Sequence, residues 1–119
     1  MNIMVVDDSA AMRSMIIRTL RQAGIDADEV SQAENGAVAL DKIRGSAPDL
    51  VLADWNMPEM TGIELLEALN EEQIKTTFGF ITTEATADMR GKASAGGAKF
   101  LISKPFTVDS FEKVLGAIM

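Results

Sequence analysis

Short apolar runs alternate with longer segments of helical periodicity along the whole chain. Most of the short runs are almost continuously apolar, which is typical of strands that are buried on both faces of a parallel sheet. Strands that alternate with helices build such a sheet with helices on both sides. The pattern therefore predicts a doubly wound α/β fold with five strands: Asn2–Val6, Glu29–Ala33, Leu50–Ala53, Phe78–Thr82 and Phe100–Ser103.

The segments between the strands predict five helices, each with a start signal. Their expected positions are Ala11–Ala23 before Gly24, Ala37–Arg44 after the cap Asn35, a helix through Leu69 with Thr61 and Glu64 at capping-box spacing, Ala85–Ala95, and a helix from the cap Thr107 to Met119. Spacing places Met12, Met15 and Ile16 on the core stripe of the first helix, and Phe111 and Ile118 on that of the last.

The fourth predicted helix has the weakest sequence signal. Gly91 interrupts it, and Met89 is one of few large apolar side chains that could anchor it to the sheet. We therefore expect this helix to be mobile.

Composition narrows the picture to one domain. A length of 119 residues suits a single core, and apolar residues make up 47% of the chain, which is enough to form one. We expect residues 1–119 to be a single monomeric domain without an effector domain, because no Pro/Gly/Ser-rich linker or repeat interrupts the pattern.

Charge and missing residue types exclude several kinds of function. A net charge of −7 disfavours binding to nucleic acid or to anionic membranes, so proteins and cations are the expected partners. The sequence contains no Cys and no His, which excludes thiolate catalysis, Cys-ligated metal centres and Ser-His pairs. The amino-terminal segment resembles neither a signal peptide nor a membrane span, and we expect a cytoplasmic protein.

Three carboxylates stand at the ends of predicted strands. Asp7 and Asp8 follow the first strand and Asp54 follows the third. Each of these motifs alone is adequately explained by a solvated turn or a helix cap. Together they occupy the carboxyl edge of the sheet, where such folds bind ligands, and a hard cation such as Mg²⁺ would relieve their repulsion if the two strands are neighbours.

Two donors are expected at the same edge. Thr82 ends the fourth strand and Lys104 follows the fifth, so a hydroxyl and an ammonium group would face the carboxylates. Taken singly, each is more simply an ordinary strand residue or a surface lysine. A phosphoryl group would need both kinds of donor.

Four separated motifs together resemble those of CheY-like response regulator receiver domains. They are Asp7-Asp8, the string Asp54-Trp55-Asn56-Met57-Pro58, Ile81-Thr82 and Lys104-Pro105-Phe106, in the family's order and over the whole chain. The resemblance implies the flavodoxin-like strand order 2-1-3-4-5, for which the CheY fold is a standard example. It also implies a switch in two-component signalling of the chemotaxis type.

The resemblance assigns roles to the residues at the sheet edge. It implies that Asp54 is the phosphoacceptor, and that Asp8, Asp54 and the backbone carbonyl of Asn56 bind Mg²⁺ while Asp7 supports the ion through water. Lys104 would contact the phosphoryl oxygens.

The resemblance further implies that Thr82 is the switch hydroxyl, which moves toward the phosphoryl group, and that the Lys104-Pro105 peptide bond is cis. It implies a histidine kinase as phosphodonor, and a downstream protein target such as the flagellar motor switch or a phosphatase. A receiver that serves only as a phosphate sink is an alternative.

Some positions depart from the family pattern. Leu101 stands where many members carry Tyr or Phe, which places the aromatic part of the switch in doubt. Thr83 is bulkier than the usual residue after the switch threonine, so we expect slow modification by small phosphodonors. Asn56 and Glu84 occupy positions at which the family tunes the lifetime of the phosphorylated state.

Three other functions remain open from the residues. A small Mg²⁺-dependent phosphohydrolase with an aspartyl nucleophile would use the same carboxylates, although Asp7-Asp8 does not match the Asp-x-Asp motif of such enzymes. A flavodoxin-like electron carrier would need a phosphate loop that the sequence lacks. A purely structural interaction module would fail to accept phosphate on Asp54.

Overall fold

The five strands form one sheet, in which every neighbouring pair is parallel. The computed structural model describes residues 1–118. The strands are β1 (Asn2–Val6), β2 (Glu29–Ala33), β3 (Leu50–Ala53), β4 (Thr77–Thr82) and β5 (Phe100–Ser103), so four have the predicted bounds and β4 begins one residue earlier. The order is β2-β1-β3-β4-β5, which confirms the doubly wound topology.

The order places β1 beside β3 in a register that pairs Val6 with Ala53. These are the last residues of the two strands. The segments that carry Asp7 and Asp54 therefore leave the sheet side by side at its carboxyl edge.

Five helices connect and cover the strands. They are α1 (Ala10–Gln22), α2 (Gly36–Gly45), α3 (Gly62–Glu71), α4 (Ala87–Ala95) and α5 (Val108–Gly116). The predicted caps Asn35, Thr61 and Thr107 are confirmed, and Thr61 forms the expected capping box with Glu64. None of the helices among residues 1–118 is long and apolar enough to cross a membrane.

Two helices are shorter than predicted. The fourth begins at Ala87, because the Thr86 side chain accepts a hydrogen bond from the Met89 N–H and caps the helix there. The fifth ends at Gly116, a residue type that favours helix ends. The predicted end of that helix, Met119, lies outside the described residues.

Successive strand residues supply two apolar clusters on opposite faces of the sheet. On one face, Phe78 and Phe80 pack with side chains of α2, α3 and α4. On the other, Ile3 and Leu52 pack with Ile16, Leu20, Phe111 and Leu115 of α1 and α5. This division explains why the strands are apolar on both faces.

Two predicted core positions were wrong. The Met15 side chain is 50% exposed and that of Ile118 is 40% exposed. In α1 the buried stripe consists of Ile16, Thr19 and Leu20, and Met15 lies at its margin. Ile118 lies beyond the end of α5, where the helical spacing no longer applies.

Candidate functional site

Backbone hydrogen bonds fix the two segments that carry the carboxylates. The Asp54 N–H donates to the Val6 carbonyl at 2.9 Å, and the Asp7 N–H donates to the Ala33 carbonyl at 3.1 Å. The Asp7 side chain is buried and accepts a hydrogen bond from the Ser9 N–H at 2.9 Å. The sheet thus extends one residue past β1 and holds Asp7 in place.

Asp7, Asp8 and Asp54 converge as the sequence predicts. Each offers a carboxylate oxygen that lies within 4.8 Å of those of the other two. Asp7 is buried, Asp54 is partly buried and Asp8 is exposed, so the cluster opens to solvent on one side. Three carboxylate oxygens at this separation suit a hard divalent cation, and the cluster could hold one.

Lys104 bridges two of these carboxylates. Its Nζ lies 3.0 Å from Asp7 Oδ2 and 3.3 Å from Asp54 Oδ2. The Lys104 side chain is only 9% exposed, so the ammonium group is fixed within the site. Its backbone N–H donates to the Thr82 carbonyl at 2.7 Å, which ties the segment after β5 to the end of β4.

The Asp54 carboxyl group is electrostatically perturbed. Burial raises its pKa above the ordinary value, the Lys104 ammonium opposes this rise, and the Asp7 carboxylate adds to it. The Trp55 N–H, which donates to Asp54 Oδ1 at 2.8 Å, also lowers the pKa. The net rise indicates a carboxylate that a cation would stabilise.

Thr82 is fully buried at the end of β4. Its hydroxyl oxygen accepts a hydrogen bond from the Glu84 N–H at 3.3 Å. Thr83 and Glu84 follow it and are exposed. Asn56, in the loop after β3, is exposed as well. The loops after β3 and β4 therefore form the open rim of the site.

Leu101 and Phe100 lie on opposite faces of the sheet, as the alternation of strand side chains requires. Leu101 is partly buried against the cluster that contains Phe80, whereas Phe100 packs against the other cluster. Leu101 also lines a groove of about 260 Å³ between α4 and α5, together with Arg90 and Ser110. The peptide bond between Lys104 and Pro105 is cis.

Gly62 is a site residue that sequence analysis overlooked. A Cβ atom at this position would lie 2.2 Å from the Asp54 carbonyl oxygen and 2.9 Å from Cε1 of Phe80. The first turn of α3 can approach the Asp54 backbone so closely only because residue 62 has no side chain. Its place directly after the capping threonine is the one local signal that could have drawn attention to it.

Arg13 and Gln32 are two further residues at the site that the sequence pattern did not indicate. The Arg13 guanidinium donates from Nη1 to the Asp7 carbonyl at 2.6 Å and from Nε to Oε1 of Gln32 at 2.9 Å. Arg13 is one of three arginines in α1, and no local pattern separates it from Arg18 or Arg21. Its contact with the site depends on tertiary structure.

Comparison with known proteins identifies the family. The model of the response regulator receiver domain family matches residues 3–115. The chain is 34% identical to the chemotaxis protein CheY of Pseudomonas aeruginosa, with 99% of this chain and 95% of that protein aligned. It is 39% identical to the chemotaxis protein CheY of Bacillus subtilis, with 98% and 92% aligned.

Comparison with solved structures also finds a CheY protein. The chemotaxis protein CheY4 of Vibrio cholerae superposes with a TM-score of 0.85 at 32% identity, over 99% of this chain and 98% of that one. The matches favour a receiver domain over the phosphohydrolase, the electron carrier and the structural module. The chain belongs to the response regulator receiver domain family, the phosphorylation-activated signalling switches of two-component systems.

Proposed function

We propose that this chain works in a chemotaxis-type two-component system, in which Asp54 accepts a phosphoryl group from a phosphohistidine of a histidine kinase. The observation that carries the proposal is the contact of Lys104 with both Asp7 and Asp54 inside a cluster of three carboxylates. This arrangement combines the Asp54 nucleophile, the fixed ammonium group of Lys104 and carboxylate ligands for a divalent ion.

Transfer requires little covalent chemistry from the protein. An Asp54 carboxylate oxygen forms a bond to phosphorus while the bond between phosphorus and the donor's histidine nitrogen breaks, and that nitrogen keeps the electron pair. The protein's part is to align the groups and to neutralise charge on the phosphoryl oxygens. Because Asp54 has no neighbouring general base of the histidine type, it must react as the carboxylate.

Asp8, Asp54 and the backbone carbonyl of Asn56 would hold Mg²⁺, and Asp7 would support the ion through water. When bound, the ion screens the carboxylates and neutralises phosphoryl charge. Asp8 is the most exposed of the three carboxylates and the most accessible to an entering ion. Buried Asp7 is held by Ser9 and Lys104, and it orients the cluster.

Phosphorylation of Asp54 offers the Lys104 ammonium group a new set of acceptors. Its ammonium group now contacts the Asp54 carboxylate at 3.3 Å, and the added phosphoryl oxygens offer it stronger acceptors at the same place. Lys104 therefore contacts the phosphoryl group in the modified state and helps to hold it.

Thr82 supplies the switch. Its hydroxyl oxygen accepts only a long hydrogen bond from the Glu84 N–H, at 3.3 Å, so little opposes its turning toward a phosphoryl oxygen. The loop after β4 leads directly into α4, whose sole buried residue is Ala93. Phosphorylation shifts the population of this loop and of the α4, β5 and α5 face, and so alters partner binding.

The groove on that face is lined by Leu101 and Arg90. Because Leu101 stands in place of an aromatic ring, the signal is carried by displacement of α4 and of the loop before it, and not by movement of a ring.

The proteins named CheY among the relatives favour a chemotaxis-type kinase as donor, with the flagellar motor switch or a phosphatase as target. The proposed place of action is the cytoplasm, and the proposed form is the monomer.

The test is intact-mass analysis and peptide mapping after incubation with Mg²⁺ and a phosphorylated histidine kinase domain from a chemotaxis system. Wild type should gain one labile phosphoryl group on the peptide that contains Asp54. Asp54→Asn should gain none, whereas Asp41→Asn, which alters an exposed carboxylate in α2, should behave as wild type. A phosphoryl group that persists in Asp54→Asn, or its absence from folded wild type, refutes the proposal.

A further inference from the structure

Arg13 joins α1 to the backbone of Asp7 and to β2 by two directional hydrogen bonds. Nη1 donates to the backbone carbonyl of Asp7 at 2.6 Å, and Nε donates to Oε1 of Gln32 at 2.9 Å. The side chain is partly buried, and α1 contains no acidic residue that could pair with it. Its contacts are therefore directed at the β1 end and at β2.

The carbonyl that Arg13 contacts belongs to the peptide between Asp7 and Asp8. The N–H of Asp7 is already fixed by Ala33 at 3.1 Å, and its carboxylate by Ser9 at 2.9 Å and Lys104 at 3.0 Å. The Arg13 bond fixes the plane of the following peptide. Because the Asp8 side chain is exposed, the orientation of this peptide plane determines the direction in which the Asp8 carboxylate points.

Gln32 anchors the guanidinium from the other side. It lies in β2 at the sheet edge, and its own backbone carbonyl accepts a hydrogen bond from Lys42 Nζ at 2.6 Å. Two N–H groups of the planar Arg13 guanidinium thus bond two separate acceptors at once, an arrangement that the ammonium group of lysine, a compact point charge, cannot reproduce.

We propose that Arg13 is a positioning residue for the cation site. Anchored by Gln32, it holds the peptide between Asp7 and Asp8 so that Asp8 faces Asp54. The proposal rests on the divalent-cation site of the proposed function. Removal of a residue that orients a metal ligand in this way commonly lowers the affinity for the metal by about 10-fold to 100-fold.

The sign of the change separates positioning from a simple charge effect. The positive charge of a guanidinium bonded to the Asp7 carbonyl repels a cation that enters the cluster, so removal of its charge alone would tighten Mg²⁺ binding. Loss of positioning weakens binding instead. The two explanations therefore predict opposite results for one substitution.

The measurement is a Mg²⁺ titration followed by the emission of Trp55, the chain's single tryptophan, whose backbone N–H donates to the Asp54 carboxylate at 2.8 Å. Arg13→Gln should bind Mg²⁺ about 10-fold more weakly than wild type. Arg18→Gln removes the same charge from an exposed position of the same helix and should bind no more weakly than wild type. Arg13→Lys keeps the charge and should remain defective.

Gln32→Ala provides a second variant that leaves Arg13 in place. It should weaken Mg²⁺ binding in the same direction. Combined with Arg13→Gln it should add little further loss, because both substitutions break one network. Far-ultraviolet circular dichroism and thermal unfolding verify that each variant is folded, and Gln32→Ala carries the test if Arg13→Gln does not fold.

Equal or tighter Mg²⁺ binding by Arg13→Gln relative to Arg18→Gln overturns this inference and leaves the proposed function intact. Mg²⁺ binding by Gln32→Ala that is as tight as that of wild type also overturns this inference. If wild type gives neither an emission change nor heat in calorimetry on addition of Mg²⁺, the proposed cation site itself is refuted, and the inference with it.

Discussion

At the scale of single residues, Asp54 combines a proposed chemical role with a cost to folding. Burial is the main cause of its raised pKa, the Lys104 ammonium opposes the rise, and the Asp7 carboxylate adds to it. A carboxyl group whose pKa rises on folding is less stable as the carboxylate in the folded protein than in the unfolded chain. Ionised Asp54 therefore opposes folding in the absence of a divalent cation.

Replacement of Asp54 by Asn should stabilise the protein without divalent cations. Above the raised pKa the wild-type carboxylate is ionised and destabilising, and this penalty disappears as pH falls through the raised pKa toward the ordinary value of about 3.9. Thermal unfolding should give Asp54→Asn a melting temperature a few degrees above that of wild type at neutral pH. The gain should shrink in acid.

The exposed Asp41→Asn should show no comparable gain at neutral pH. A lower melting temperature for Asp54→Asn than for wild type at neutral pH would mean that the ion pair with Lys104 outweighs the desolvation of Asp54.

Gly62→Ala tests the close approach of α3 to the site. The new Cβ atom would meet the Asp54 carbonyl oxygen at 2.2 Å, and a backbone atom cannot move aside without shifting β3 or α3. Overpacking of this kind costs about 1–3 kcal/mol, to be measured by urea unfolding. Gly45→Ala, at a helical position with open space around it, should be neutral or slightly stabilising. Equal effects would contradict the steric account.

At the scale of secondary structure elements, α4 differs from the other helices. Its one buried residue is Ala93, whereas α3 buries Leu65, Leu66 and Leu69. Few buried apolar contacts give a segment low local stability. The Thr86 cap and the ion pair of Asp88 with Lys92 at 3.2 Å stabilise α4 locally, although both residues of that pair are exposed and the pair contributes little.

Gly91→Ala should stabilise α4. Gly91 is inside the helix with open space where a Cβ atom would be, so alanine gains helix propensity without a clash. The expected gain is about 0.5–1 kcal/mol in the free energy of unfolding. Hydrogen exchange of the α4 amides should slow, while that of the α3 amides changes less. Unchanged exchange in α4 would show that backbone freedom at Gly91 does not limit its stability.

At the scale of the whole molecule, one sheet divides the core into two clusters and leaves its carboxyl edge for chemistry. The clusters are tied to separate sets of helices, α1 and α5 on one face and α2, α3 and α4 on the other. The acidic residues at the edge contribute no apolar packing. Folding is therefore driven by the clusters, and the ionised Asp54 carboxylate reduces the stability that results.

Binding of Mg²⁺ should raise the stability of the whole domain. A ligand that binds only the folded state adds about 2.7 kcal/mol at a free concentration 100 times its Kd. The melting temperature of wild type should rise with Mg²⁺ concentration at constant ionic strength. Asp8→Asn should lose most of this rise, because it removes the exposed carboxylate of the cluster without disturbing the core. An equal rise in both proteins would place the ion elsewhere.

The sequence by itself determined the features that depend on local pattern. Alternation of apolar runs and helical periodicity predicted all five strands and five helices, and side chains such as Thr61 and Asn35 marked helix starts, since caps are local hydrogen bonds. It also predicted that Asp7 and Asp54 follow strands. The neighbour relation of those strands came from the resemblance to the family, because periodicity does not record strand order.

Only the tertiary structure decided which distant residues meet. Lys104 contacts Asp7 across 97 positions of the chain, Arg13 reaches Gln32 across 19, and Gly62 is constrained by the Asp54 backbone. Met15 and Ile118 matched helical spacing yet are exposed, because burial depends on how far each packing interface extends. Local pattern sets the elements and most of their inner faces, whereas contacts across the sheet edge arise from strand order and register, which no short segment encodes.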